Sequence, residues 1–401
     1  MTPDATGRST PPGTAVGGAT ASRGTPGTKR GEADTRLDHV ELCEEAMRLT
    51  GLDDFGSPDH RSALAHLTAS LGSQARLNPY GRAEARTVLL DALCTRLRLH
   101  ANALPALDPA FGRGPVVLVG LPRTGSTLLH HLLAHHPSLR APRLWELLAP
   151  LTPPGTTEDQ LVCAARRHVT EHFRAAPDLR RIHPTSATGP EECEYLMNTD
   201  FRNAVLATIS YRLPDYAAWL MDQDLTGAYR LHQAQLRHIL ARRPAPAGAR
   251  LLLKSPSHVW HLPSLAVVYP RADLVVLHRD TDAAIGSVCG LALAARRKRS
   301  DDVDAHEIGR QMTAATHTAL DRLRAFTAQP PPGIRCLAVT FDELTRNPRA
   351  TAERVSDWLG VPVTESVRRG WRDHLSRHPR PPHEHPRGPC GLPSAVGRPT
   401  S

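Results

Sequence analysis

Residues 115–133, Pro-Val-Val-Leu-Val-Gly-Leu-Pro-Arg-Thr-Gly-Ser-Thr-Leu-Leu-His-His-Leu-Leu, constrain this chain more than any other stretch. The apolar run Val116 to Val119 reads as a short buried strand. A turn follows from Gly120 to Ser126, and Thr127 to Leu133 opens a helix whose apolar face carries Leu128, Leu129, Leu132 and Leu133. A strand that feeds a helix through a glycine-bearing turn builds an anion cradle. The first N–H groups of the helix have no partner within it, and the helix dipole favours negative charge there. Gly125 lets the backbone come close to a ligand, and Ser126 and Thr127 add hydroxyls.

A second stretch has the same grammar. Leu251 to Leu253 reads as a strand ending in Lys254-Ser-Pro-Ser-His258, followed by a helix over Trp260 to Val268. Ala272 to Leu277 reads as another buried strand, then His278-Arg279-Asp280 and a helix through Ser287. Arg335 to Thr340 gives one more strand, followed by helical Phe341-Asp-Glu-Leu and Pro348 to Leu359. Alternating strands and helices predict an α/β fold, a P-loop-like parallel sheet flanked by helices. In such sheets ligands bind beyond the carboxyl ends of the strands. Arg123, Lys254 and Arg279 each stand just after a predicted strand, so three cations meet at one rim.

The first turn has the glycine spacing of a Walker A loop, Gly120 and Gly125, with Thr127 at the magnesium-binding position. Ser126 stands where that motif needs lysine, and the cation sits inside the loop instead, at Arg123. Pro-Arg-Thr-Gly-Ser-Thr resembles the 5′-phosphosulfate loop of sulfotransferases that use 3′-phosphoadenosine 5′-phosphosulfate (PAPS). Leu-Lys-Ser-Pro-Ser-His and Leu-His-Arg-Asp-Thr-Asp-Ala-Ala-Ile-Gly-Ser resemble the bacterial branch of that family. Phe341-Asp-Glu-Leu through Trp358-Leu359-Gly360 resembles its C-terminal segment, with phenylalanine where members often have tyrosine. The resemblance spans roughly Leu37 to Pro362. It implies PAPS as co-substrate, no metal, and transfer of a sulfuryl group to a hydroxyl or amine. It implies cofactor binding by Arg123, Thr124, Gly125, Ser126 and Thr127, with Arg279 and Ser287 on the 3′-phosphate, and catalytic roles for Arg123 and Lys254. It also implies a base on the segment that returns towards the loop, where Trp145-Glu146 stands. Glu146 is the first choice and His258, after the Lys-Ser-Pro turn, the second.

Two other functions fit parts of the pattern. A P-loop-type small-molecule kinase would want lysine at position 126. A non-catalytic binder of nucleotides or sulfated polyanions would keep Arg279 without needing Lys254. The acceptor, a small molecule or a glycan or lipid, is not written in the sequence, and neither is the oligomeric state.

The remaining features are plainer. From Leu37 to about Leu104 the periodicity predicts three amphipathic helices, so residues 36–110 form an N-terminal helical cap on the main domain, residues 111–373. Residues 1–35, rich in Gly, Thr, Pro, Ala and Ser, and 374–401, rich in Pro, His, Arg and Gly, read as a disordered and a loose tail. Thr156 to Phe173 reads as a helix, and Pro190-Glu-Glu-Cys-Glu as the start of another. His183 and the Glu191–Glu192 pair stand as possible acceptor-pocket residues. His131 and His135 lie one helical turn apart, beside His130 and His136. No acidic residue nearby completes a metal set, and neighbouring leucines supply a packing role, so they read as non-ligands. The net charge of +9 suits an anionic substrate, and no nucleic-acid-binding motif accompanies it. The dense run Arg296-Arg-Lys-Arg299 reads as a solvated face that could also steer an anion. Seven separated cysteines without a Cys-x-x-Cys pair, no 18-residue apolar run and no apolar leader predict a cytoplasmic protein without a membrane span.

Overall fold

The computed structural model describes residues 36–153 and 155–378. Five parallel strands make the sheet: β1 Val116–Gly120, β2 Leu139–Arg140, β3 Arg250–Lys254, β4 Asp273–His278 and β5 Arg335–Thr340, in spatial order β2-β3-β1-β4-β5. Both faces are covered, which is why the strands are unbroken apolar runs rather than alternating ones. Val116, Leu118, Leu252, Val275 and Leu277 join one core with α4 (Ser126–Leu133), α14 (Pro348–Leu359) and α15 (Glu365–Arg377). Val117, Val119, Leu251, Leu253, Leu274 and Val276 join the other. That second core also takes in α1 (His39–Thr50), α2 (Asp59–Ser73), α3 (Pro79–Ala101), α9 (Thr226–Arg242), α10 (Leu262–Val268) and α12 (Ala305–Ala328). The expected α/β class with helices on both faces is what the chain forms.

At the amino end of the sheet, buried Asp273 accepts from Arg250 at 2.6 Å and from both Arg335 donors at 2.6 and 2.7 Å, tying three strand starts together. At the carboxyl end, β1 lies between strands that follow it much later. This reversal of strand order opens the crevice where ligands gather in such sheets.

Several expectations shift. Glu191 and Glu192 do not begin a helix. Glu191 continues an extended strand partner, Pro190 bridging to Arg143, and a 3₁₀ helix starts only at Cys193 and runs to Asp200. The helix after β4, α11 (Thr281–Arg297), runs ten residues past Ser287. The run at 296–299 is not a solvated face. Only Arg297 is exposed. Arg296 donates to Thr208 O at 2.6 Å, and Lys298 and Arg299 both pair with Glu84 of α3. Arg299 lies over Tyr211 and Lys298 over Tyr80. The two expected tails fall outside the described residues, except that 374–377 complete α15 rather than loosen. No described helix is long and apolar enough to cross a membrane.

Candidate active site

The turn after β1 is shaped by two left-handed residues. Gly125, φ +89°, caps the start of α4, and Arg123 is held at φ +71° without being glycine. Such a backbone costs of order 1–3 kcal/mol and persists only where neighbours impose it. Here the Arg123 carbonyl accepts from Arg279 Nη1 at 2.7 Å. Its guanidinium donates to Ser287 Oγ at 3.0 Å and to Ile182 O at 2.6 Å. Thr124 turns inward, its hydroxyl donating to Leu121 O at 2.8 Å, so it offers a ligand only its backbone. Arg279 stacks on Phe341, with 4.1 Å from guanidinium carbon to ring centre. The Phe341 ring therefore holds Arg279 by its face.

From the other side of β1, Lys254 ends β3 almost fully buried, 3 % exposed. Its ammonium donates to Thr127 Oγ1 at 3.1 Å and pairs with Glu192. Among the residues expected from the sequence, Arg123 contacts Arg279 and Ser287, and Lys254 contacts Thr127, both groups lying beyond the carboxyl ends of β1, β3 and β4. Sequence reasoning gave Glu192 only a pocket-lining role. Behind it, His183 Nε2 stands 3.7 Å from Glu191 Oε1. Burial opposes charge on His183, but the nearby Glu191 and Glu192 carboxylates outweigh it and push the imidazole up. The nearby imidazole in turn holds Glu191 down against its burial. Glu194, half-buried two residues after Glu192, is pushed well up by desolvation and by Glu192.

The two expected bases sit elsewhere. Glu146 has no exposed surface. It caps α5 (Leu144–Leu148), accepting from Arg143 N at 2.7 Å, pairs with Arg140, and lies 3.7 Å from Arg243. Its carboxylate is a buried anchor for arginines. His258 is also fully buried. One ring nitrogen is 2.9 Å from Tyr229 OH and the other 3.3 Å from Cys193 Sγ. Desolvation, reinforced by His232 and His261, pushes it well below the usual imidazole range. Neither residue presents a basic atom to the crevice, a departure from expectation that follows from packing no motif encodes.

The profile of the sulfotransferase family matches residues 115–365, well over half of the chain. The chain belongs to the sulfotransferase family. Among solved structures it is similar to sulfotransferase STF1 from Mycobacterium tuberculosis H37Rv, with 28% identity over 84% of this chain and 92% of that one and a TM-score of 0.70. Sulfotransferase STF9 from Mycobacterium avium, 24% identical over 85% of this chain and 88% of that one, shares the fold at a TM-score of 0.73. No curated protein sequence matches the chain. Family and fold together make the chain a sulfotransferase-family enzyme.

Proposed function

We propose that this sulfotransferase moves a sulfuryl group from PAPS to a hydroxyl or amine of a small-molecule, glycan or lipid acceptor. The observation that carries this reading is Lys254, buried at the end of β3 with its ammonium on the first turn of α4, where an anion held by that turn would meet it. Glu192 offsets the cost of burying that cation, so an incoming anion would compete with Glu192 for it. The donor set suits such an anion. The start of α4 with Ser126 and Thr127 would take the phosphosulfate, with Arg123 and Lys254, while Arg279 and Ser287 would take the 3′-phosphate. A guanidinium can engage a phosphate through two parallel N–H donors.

PAPS supplies an activated sulfuryl group, and the protein's part is charge and proton management. Lys254 and Arg123 neutralise the charge that gathers on the leaving phosphate oxygen as the acceptor's S–O bond forms. Glu192 takes the proton that the acceptor loses. Its side chain is 12 % exposed, and drawing Lys254 onto the donor's anionic groups frees its carboxylate. His183 is less suited, since its contact is with Glu191 and not with the Lys254 ammonium that would meet the donor.

Thermal-shift binding of adenosine 3′,5′-bisphosphate against ATP with magnesium separates this reading from a P-loop kinase. Turnover of labelled PAPS across an acceptor panel separates it from a non-catalytic binder. Preference for ATP–magnesium, or no turnover with any acceptor class, would count against it.

A further inference from the structure

The histidines of α4 are not alone. His131, in α4, and His135, two residues past its end, both lie against His374 in the last turn of α15, and His374 stacks on His378, the residue that caps α15, whose Nδ1 is 3.0 Å from His374 O. Ring centres are 5.3 Å apart for His131–His374, 5.8 Å for His135–His374 and 4.6 Å for His374–His378. A tetrahedral ion with Zn–N bonds of about 2.0–2.1 Å holds imidazole centres about 5 Å apart.

The two helices are already fixed to each other. Trp371 Nε1 donates to Leu132 O at 2.7 Å, and His136 bonds Pro362 O at 2.8 Å. Gly370 gives His135 its place, since a β-carbon there would stand 2.9 Å from His135 Nδ1. Two i, i+4 imidazole pairs, each straddling the end of a docked helix, can supply a metal-ligand set, whereas four histidines serving only as core would be covered. Here His135 and His378 are exposed and His131 and His374 half-buried. Asp373 and Arg377 flank the cluster with opposite charges.

We propose that His131, His135, His374 and His378 form a site for a late first-row divalent ion, Zn²⁺ above all, that clamps α15 onto α4. All-imidazole donors favour zinc, nickel and copper over magnesium or calcium. The ring nitrogens do not already converge as the ligand atoms of His183, Glu191 and Glu192 do, within 4.8 Å of one another, so the side chains turn to close round the ion. That second group has a competing cation, Lys254, on Glu192.

The test uses the full chain without an affinity tag, stripped by chelator and titrated with Co²⁺ and Zn²⁺. One equivalent of Co²⁺ with tetrahedral visible absorption is expected, displaced by Zn²⁺, with an unfolding midpoint that climbs with free ion concentration. The double variant His135→Asn/His374→Asn should lose this binding. Glu191→Gln and the pair His383→Ala/His385→Ala should keep it. Should the double variant fail to fold, His378→Asn on the exposed last turn must weaken Co²⁺ binding at least tenfold. Stoichiometric binding untouched by these histidine variants, binding lost in Glu191→Gln or in His383→Ala/His385→Ala, or no binding at micromolar free ion would overturn the proposal.

Discussion

At the scale of single residues, the crevice separates binding from chemistry. Arg279 is steadied by the Phe341 ring and by the Arg123 carbonyl, so its charge is presented in a fixed direction. Arg279→Ala should weaken adenosine 3′,5′-bisphosphate by about 1.5–3 kcal/mol, roughly ten- to a hundredfold, and leave an analogue without the 3′-phosphate nearly unchanged. Isothermal titration with both ligands checks this, and equal losses would remove Arg279 from the 3′-phosphate. Lys254→Ala should lower kcat by more than it raises the Kd for the bisphosphate, because its charge matters most as the bond to sulfur breaks. Glu192→Gln should lower kcat about 10²–10⁴-fold with cofactor affinity kept. Glu146→Ala should act on a different quantity. It strands Arg140 beside a buried void and should cost about 3–5 kcal/mol of stability, read from a urea midpoint. If Glu146→Ala folds normally but cannot turn over PAPS, the base must be reassigned.

At the scale of elements, the turn into α4 depends on one glycine. A β-carbon on Gly125 would stand 3.0 Å from Leu344 Cδ2 and 3.4 Å from Phe341 Cδ2, on a backbone at φ +89°. Gly125→Ala should cost about 1–3 kcal/mol and, by moving Phe341, loosen Arg279 as well. A lowered melting temperature together with weaker bisphosphate binding is the expected pair. That turn was readable in the sequence because its signals are local. Four apolar residues, a glycine and a leucine stripe suffice for β1, Gly125 and α4. β3, β4 and β5 were readable for the same reason. β2 was not, being two residues long and defined only by its pairing with Arg250 and Leu251. α12, 24 residues long, went unread, and the run at 296–299 looked solvated because nothing in its own sequence points to Glu84. The cations Arg123, Lys254 and Arg279 were legible because each follows a strand. The arginine packing round Glu146 and the pairing of Lys254 with Glu192 were not, since the tertiary fold sets them and no neighbouring residue does.

At the scale of the whole molecule, α3 is fastened to α11 and the chain just beyond it by a charge cluster. Glu84 is held below the usual carboxylate range despite burial, by Arg299 and Lys298. Its contribution is present above the unfolded carboxylate pKa and is lost as pH falls through the lower folded value. Glu84→Ala should cost about 3–5 kcal/mol by leaving Lys298 and Arg299 without their counter-charge. Buried imidazoles act in the same direction at milder pH. Desolvation holds His172, His232 and His261 at about 3 and His60 at about 4. The unfolded chain binds protons at these sites from about pH 6.5 downward while the folded one does not. Stability should therefore fall from pH 7 to pH 5, seen as a falling urea midpoint with chelator present, and a flat profile would contradict the buried-neutral assignment. The strand order has a consequence on the ribosome. β1 is the middle of the sheet, yet its partners emerge late: Val116 pairs with Leu252 and with Asp273. At about 5–20 residues per second, synthesis leaves β1 without either neighbour for on the order of ten seconds. Nascent chains stalled before residue 250 should be cut readily within 116–120, and chains stalled once β3 and β4 have cleared the exit tunnel should resist, so the turn after β1 is made long before the strands that flank it.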